Sequence, residues 1–155
     1  QVLPAYKENI HKTLTREICH SFDHIYLMGC GDSHHVSLAT QLAFRLLSGV
    51  ETEALTAMQF ARYTADTLNN PQRCLVAGAS VSGEVSRTLE GMLLARKAGA
   101  QVLALTANPI SRIGRAADYI VDTTQPPLKI RMVWSSRGCV PMWPTKSRCI
   151  WSPFM

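Results

Sequence analysis

Three short apolar runs, two of them ending in turns of small polar residues that open helical periodicity, constrain this chain more than any other feature. His24-Ile25-Tyr26-Leu27-Met28 runs into Gly29-Cys30-Gly31-Asp32-Ser33, and Cys74-Leu75-Val76-Ala77-Gly78-Ala79 runs into Ser80-Val81-Ser82-Gly83-Glu84. Gln101-Val102-Leu103-Ala104-Leu105-Thr106 is the third. A strand that is apolar throughout, instead of at alternate positions, is buried on both faces. Strands alternating with helices at this spacing form a parallel sheet covered on each side. The expected architecture is therefore α/β, a three-layer doubly wound parallel sheet of the flavodoxin-like type.

The remaining elements follow from periodicity. Ile10, Leu14, Ile18 and Cys19 recur at helical spacing among charged residues, which predicts one amphipathic helix over residues 5–22. Val36, Leu38, Leu42, Leu46 and Leu47 predict a helix stopped by Gly49. A short strand is expected over residues 52–56, a helix over 58–68, a break at Asn69-Asn70-Pro71, and a helix over 86–98 ended by Gly99. A short helix over 111–117 and a strand over 119–122 complete the pattern, which stops after Gln125-Pro126-Pro127. The expected domain layout is an N-terminal helical segment packing on the domain (1–22), the α/β domain itself (23–128), truncated at its C-terminus, and a tail (129–155).

The tail differs in composition from the rest. It holds Lys129, Arg131, Arg137, Lys146 and Arg148 without a single acid, together with all three tryptophans, whereas residues 1–128 contain 11 basic and 11 acidic residues. The formal charge of +5 thus belongs to the tail, and a neutral body lacks the basic face that nucleic acid requires. The tail shows neither period 2 nor period 3.6 and is interrupted by Pro141, Pro144 and Pro153. It is expected to be foreign to the fold, as a shifted reading frame would make it; the alternative is a basic loop that docks aromatic residues on a partner. No apolar run is long enough to cross a membrane and no secretory leader opens the chain, so a cytoplasmic location without membrane contact is expected. Five cysteines without a C-x-x-C pair indicate reduced thiols, with no metal site and no cofactor.

In a parallel sheet, ligands collect at the carboxyl ends of strands, where helix N-termini present unpaired N–H groups and partial positive charge. The turns at Gly31, Asp32 and Ser33 and at Ser80, Val81, Ser82 and Gly83 combine glycines with hydroxyl donors, the composition of a phosphate cradle. A dinucleotide fingerprint would want glycine at position 34, where His34 stands. Ser33 is divided between capping and ligand binding. Ser80 and Ser82 are assigned to binding, because two hydroxyls bracketing one residue exceed what one cap needs. His34 and His35, adjacent on a helix, point about 100° apart and do not form a metal pair.

Strand-S-x-S-G-E-helix, about 50 residues after strand-G-x-G-x-S-x-H-helix, resembles the SIS (sugar isomerase) family of phosphosugar-binding domains. Ala104-Leu105-Thr106-Ala107-Asn108-Pro109 and Ala116-Ala117-Asp118-Tyr119 extend the resemblance, which covers residues 24–124. Ala57-Met58-Gln59-Phe60-Ala61-Arg62-Tyr63 is similar to the A-x-E-F-x-x-Y segment of double-SIS isomerases, with Gln59 in place of the acid. The resemblance implies a sugar-phosphate or amino-sugar-phosphate ligand, a second SIS domain or a homodimer partner, and a parent activity of aldose–ketose isomerase or amino-sugar-phosphate deaminase or synthase type. It also implies that this segment alone is inactive. Two departures stand out: Val85 replaces a phosphate-binding Thr, and Asp32 replaces a small hydroxyl residue. Glu84, in the first turn of its helix, and His35, which matches the family's loop histidine, are the candidate catalytic residues; Glu84 is alternatively a capping acid. The rival expectations are a non-catalytic sugar-phosphate sensor and a Rossmann-like nucleotide binder.

Overall fold

The computed structural model describes residues 2–124, 132–135 and 138–141. It divides into two compact units, Gln1–Gln125 and Pro126–Met155. In the second unit Met132–Ser135 (β6) and Gly138–Pro141 (β7) pair antiparallel, a ladder that the missing alternation of the tail did not predict. The rest of the segment expected to be foreign to the fold lies outside the described residues.

The first unit is built on five parallel strands: β1 (His24–Gly29), β2 (Glu51–Thr56), β3 (Cys74–Ala79), β4 (Gln101–Thr106) and β5 (Tyr119–Asp122), in the order β2-β1-β3-β4-β5. The chain leaves β1 toward β2 and then returns past it to β3, so the direction of winding reverses between β1 and β3. That is the expected doubly wound sheet, and its crevice lies outside the carboxyl ends of these two strands.

Pleating sends neighbouring residues to opposite faces, and both faces are apolar. Tyr26, Met28, Val76, Val102 and Ala104 meet Met92 and Ala95 of α5 (Ser86–Ala98), together with Phe60 and Ile113. On the other side Leu27, Leu75, Ala77, Leu103 and Val121 join Phe22 and Ala54, with Leu14 and Ile18 against them. Each large apolar side chain taken fully out of water stabilises the fold by about 1.5–3 kcal/mol.

The N-terminal helix predicted over 5–22 is two helices, α1 (Val2–Thr13) and α2 (Arg16–His20). The break falls at Thr15, whose extended backbone lets its side chain accept from the Ile18 amide and cap α2; capping competes here with continuation of the helix. α1 lies on the sheet edge, where Tyr6, Asn9 and Thr13 side chains donate to carbonyls of Thr123, Asp122 and Ile120 at 2.9–3.1 Å, occupying acceptors on the edge strand.

The helix predicted over 58–68 is also not continuous. A single α-helical turn, α4 (Ala57–Gln59), passes into a π-helical turn (Phe60–Thr64) and a 3-10 turn (Ala65–Thr67). Thr56 and Gln59 form a reciprocal capping box at its start, a role glutamine fills as well as an acid does. The break at 69–71 holds Asn70 in the left-handed region at φ 47°. α3 (Asp32–Ser48) ends, as expected, on left-handed Gly49, and α6 is Arg112–Ala116.

Candidate functional site

β1 and β3 are adjacent, with Gly29 and Ala79 in register at their carboxyl ends. The two glycine- and serine-bearing turns therefore leave the sheet side by side at the reversal of winding. The first turn also touches the helix that follows the second: Cys30 Sγ lies 3.7 Å from Oγ1 of Thr88, a fully buried residue in the first turn of α5.

The first turn is set by Gly31, whose φ of 56° and ψ of −127° lie in a region other residues avoid. Gly31 is the N-cap of α3 and, lacking a side chain, caps nothing. Its carbonyl accepts from the amides of His34 and His35 and from His35 Nδ1 at 3.0 Å. His35 thus fastens the first turn of α3. Ser33, expected to be either a cap or a ligand contact, lies inside the helix and caps nothing. The amides of Asp32 and Ser33 take no acceptor among the described residues. The His34 ring centroid lies 5.9 Å from that of His35, and its buried Nδ1 has no partner among the described residues.

The second turn is tied to the protein on three sides. Ser80 N–H donates to Leu105 O at 3.0 Å, Ala107 N–H to Val81 O at 3.1 Å, and Ile113 N–H to Gly83 O at 3.1 Å. Ser80 is 3 % exposed, and its Oγ accepts from the Gly83 amide at 3.1 Å. Its own hydroxyl proton takes no acceptor among the described residues. Gly83 has φ 69° and sits directly over Ser111 and Thr106, so only a residue without Cβ fits. Ser82 is exposed, and its Oγ accepts weakly from the Glu84 amide at 3.4 Å. Val81 is 72 % exposed and contributes its backbone.

Val85 is the N-cap of α5 and makes no side-chain cap; this is the structural outcome of valine standing where the family's threonine is expected. The amides of Val81, Ser82, Val85, Ser86, Arg87 and Thr88 take no acceptor among the described residues. The helices of 17 and 13 residues thus open, uncapped by side chains, at the crevice between β1 and β3. Unpaired amides at two helix ends, with a buried hydroxyl and an exposed one, fit an anion of phosphate size.

Glu84 is placed differently from a free general base. Its Oε1 accepts from the Arg112 amide at 3.1 Å and its Oε2 from Arg112 Nε at 2.7 Å, while Arg112 Nη2 donates to the Glu84 carbonyl at 2.9 Å. The guanidinium holds the carboxyl below its ordinary range. Sequence reasoning missed Arg112, because a partner 28 positions away along the chain leaves no local signal. Asp32 is exposed in the first turn of α3. No cluster of His, Cys, Asp and Glu fit to hold a metal occurs among the described residues, and no described helix is long and apolar enough to cross a membrane.

Comparison with known proteins matches residues 19–139 to the SIS domain. The chain is 34% identical over 110 residues to glutamine–fructose-6-phosphate aminotransferase (isomerizing) of Gloeobacter violaceus, covering 71% of this chain and 18% of that protein. The chain therefore spans less than a fifth of that relative's length. Among solved structures, the C-terminal domain of glucosamine-fructose-6-phosphate aminotransferase from Francisella tularensis superposes with a TM-score of 0.65 at 19% identity, covering 78% of this chain and 37% of that one. The sugar isomerase domain of the RpiR transcription factor from Sphaerobacter thermophilus superposes with a TM-score of 0.62 at 24% identity, covering 83% and 76%. The two glycine- and serine-bearing turns, the sheet order that places them together, and a family match spanning more than half of the chain lead to one conclusion: this chain belongs to the SIS domain family.

Proposed function

We propose that this chain binds the phosphate of a sugar or amino-sugar phosphate in the cradle formed by residues 31–33 and 80–83, as one SIS half of an aldose–ketose isomerase or an amino-sugar-phosphate deaminase or synthase. The observation that carries this reading is the pair of helix N-termini, uncapped by side chains, that open side by side where the winding reverses. Ser80 and Ser82 donate to phosphate oxygens alongside the amides of the 81–82 and 85–88 segments. Asp32, a poor neighbour for phosphate, suits a sugar hydroxyl or an amino group on the same ligand. A cytoplasmic location accords with a phosphorylated metabolite as ligand.

A second SIS domain is the proposed partner. α3 leaves Val36, Leu38, Leu42, Leu46 and Leu47 exposed, the last by 87 %, and its one arginine, Arg45, turns aside to Glu51. An uncharged apolar face of this extent on a helix indicates an interaction surface. The face is continuous with the cradle, which lies at the same helix's N-terminus, and the Francisella domain is long enough to hold more than one unit of this size.

Non-catalytic sensing is favoured over turnover by this chain alone by one observation: both carboxylate oxygens of Glu84 are already occupied by Arg112. A thermal-shift titration of the 155-residue chain tests the reading, using glucosamine 6-phosphate, fructose 6-phosphate, their unphosphorylated sugars, ATP, NAD and inorganic phosphate. A ligand that binds only the folded state raises the melting temperature. A rise with both sugar phosphates and none with the free sugars is expected; a rise with nucleotides alone refutes it.

A further inference from the structure

We propose that Glu84 and Arg112 form a clamp that positions the 80–85 loop for its anion and neutralises the carboxylate beside it, making Glu84 a positioning residue that acts through Arg112. This deepens the phosphosugar-binding reading and rests on it.

The first part of the loop has its own fasteners. Ser80, Val81 and Gly83 are hydrogen-bonded to Leu105, Ala107 and Ile113. Beyond Gly83 no such backbone tie exists among the described residues until Leu89 N–H reaches Val85 O. In that interval the backbone carbonyl and both carboxylate oxygens of Glu84 are engaged by one residue, Arg112, at 2.7–3.1 Å. The unpaired amides of residues 85–88 begin at the next position. Their aim therefore depends on where Arg112 holds Glu84.

Charge leads to the same assignment. Glu84 lies two residues after Ser82 and directly before the uncapped end of α5. A free carboxylate there would repel a phosphate dianion. Arg112 cancels that charge with a two-point contact to the carboxylate, one from its backbone amide and one from its guanidinium. The guanidinium also keeps Glu84 ionised, so Glu84 is suited to holding the loop and unsuited to taking a proton from a sugar.

The test is a double-mutant cycle on the 155-residue chain. Wild type, Arg112→Gln, Glu84→Gln and the double variant are titrated with glucosamine 6-phosphate by calorimetry at neutral pH. Arg112→Gln should weaken binding about 10-fold, since it frees a carboxylate next to the anion. The double variant should bind more tightly than Arg112→Gln, because the second change removes the repelling charge. Equal affinities for these two variants would mean that Arg112 contacts the phosphate directly, and would overturn the clamp, as would wild-type affinity in all three variants.

Amide hydrogen exchange in the ligand-free protein separates this outcome from failure of the binding reading. If wild type binds no sugar phosphate, the binding reading fails, while the clamp is still read from exchange of the hydrogen-bonded amides that bracket it, Gly83, Leu89 and Ile113. Each single variant should accelerate exchange there, and the double variant no further than either. Unchanged exchange in both single variants overturns the clamp.

Discussion

Gly83→Ala probes the junction on which the proposed cradle depends. A Cβ at position 83 would lie 2.5 Å from Ser111 Cβ and 2.9 Å from Thr106 Oγ1, and would overlap Ser111 Oγ. Rotating the Ser111 side chain relieves the oxygen overlap but not the carbon overlap, so backbone must move. The loop is tied on both sides by the Ala107–Val81 and Ile113–Gly83 hydrogen bonds and has little freedom to do so. An L-residue held at φ 69° costs about 1–2 kcal/mol, and overpacking a buried site adds about 1–3 kcal/mol. The expected loss is about 2–5 kcal/mol, a large fraction of the ~5–15 kcal/mol of a typical domain.

Urea unfolding followed by circular dichroism measures this loss as a lower midpoint at constant slope. Repeating the substitution in a Ser111→Gly background isolates its packing part. Ser111 caps α6 by accepting from the Gly114 amide at 3.2 Å, and glycine at an N-cap costs only a few tenths of a kcal/mol. In that background Gly83→Ala should lose the Ser111 overlap and cost the backbone part, about 1–2 kcal/mol, plus what the remaining 2.9 Å contact with Thr106 Oγ1 demands. An equal loss in both backgrounds, or a loss below about 1 kcal/mol in the wild type, would refute the packing reasoning.

Other outcomes are equally open to measurement. Ser82→Ala should reduce affinity for glucosamine 6-phosphate by about 10- to 150-fold, the equivalent of one hydrogen bond to a charged group at ~1.5–3 kcal/mol, with the urea midpoint unchanged; unaltered affinity would remove Ser82 from the cradle. Leu42→Lys with Leu46→Lys should leave the unfolding midpoint within ~0.5 kcal/mol of wild type, as exposed substitutions do, while abolishing association through α3 in sedimentation runs. A large destabilisation would instead place these leucines in a core. Asp23, Glu84 and Glu90 are held below their ordinary values, chiefly by hydrogen bonds from Arg73, Arg112 and Arg87 respectively. A depressed folded-state pKa gives stability that is present above the unfolded value and lost as pH falls through the folded one. Unfolding free energy should therefore decline on acidification below the carboxylate range, and Arg73→Met should flatten that decline. Burial pushes the Cys74 thiol up, and the residue is 2 % exposed, whereas Cys19 is exposed. A thiol reagent followed by peptide mapping should label Cys19 rapidly and Cys74 only on unfolding.

What the sequence determined by itself was the layered sheet and the two glycine- and serine-bearing turns that leave β1 and β3. The apolar runs at β3 and β4 have the predicted bounds, because a strand buried on both faces has no choice of side chain and its signal is local. Gly49 and Gly99 ended their helices for an equally local reason, the left-handed backbone at each cap. The two turns were legible as turns because Gly31 and Gly83 take positive φ and the Ser80 hydroxyl accepts from the Gly83 amide, both short-range requirements.

Tertiary structure decided what those residues do. Thr15 broke the first helix and the π turn at Phe60 interrupted the next, where capping and core packing outweighed uniform periodicity. Gln59, by contrast, stood three residues after Thr56, so that capping box was readable. Ser33 lost its capping role because Gly31 begins the helix, and Val85 left α5 uncapped. Glu84 was assigned locally as a base or cap, but its partner lies 28 residues on, across helix α5, strand β4 and a turn. Periodicity and turn chemistry act over a few residues and are written in order along the chain; a carboxylate's partner is chosen by the fold, which brings the start of α6 to the loop after β3.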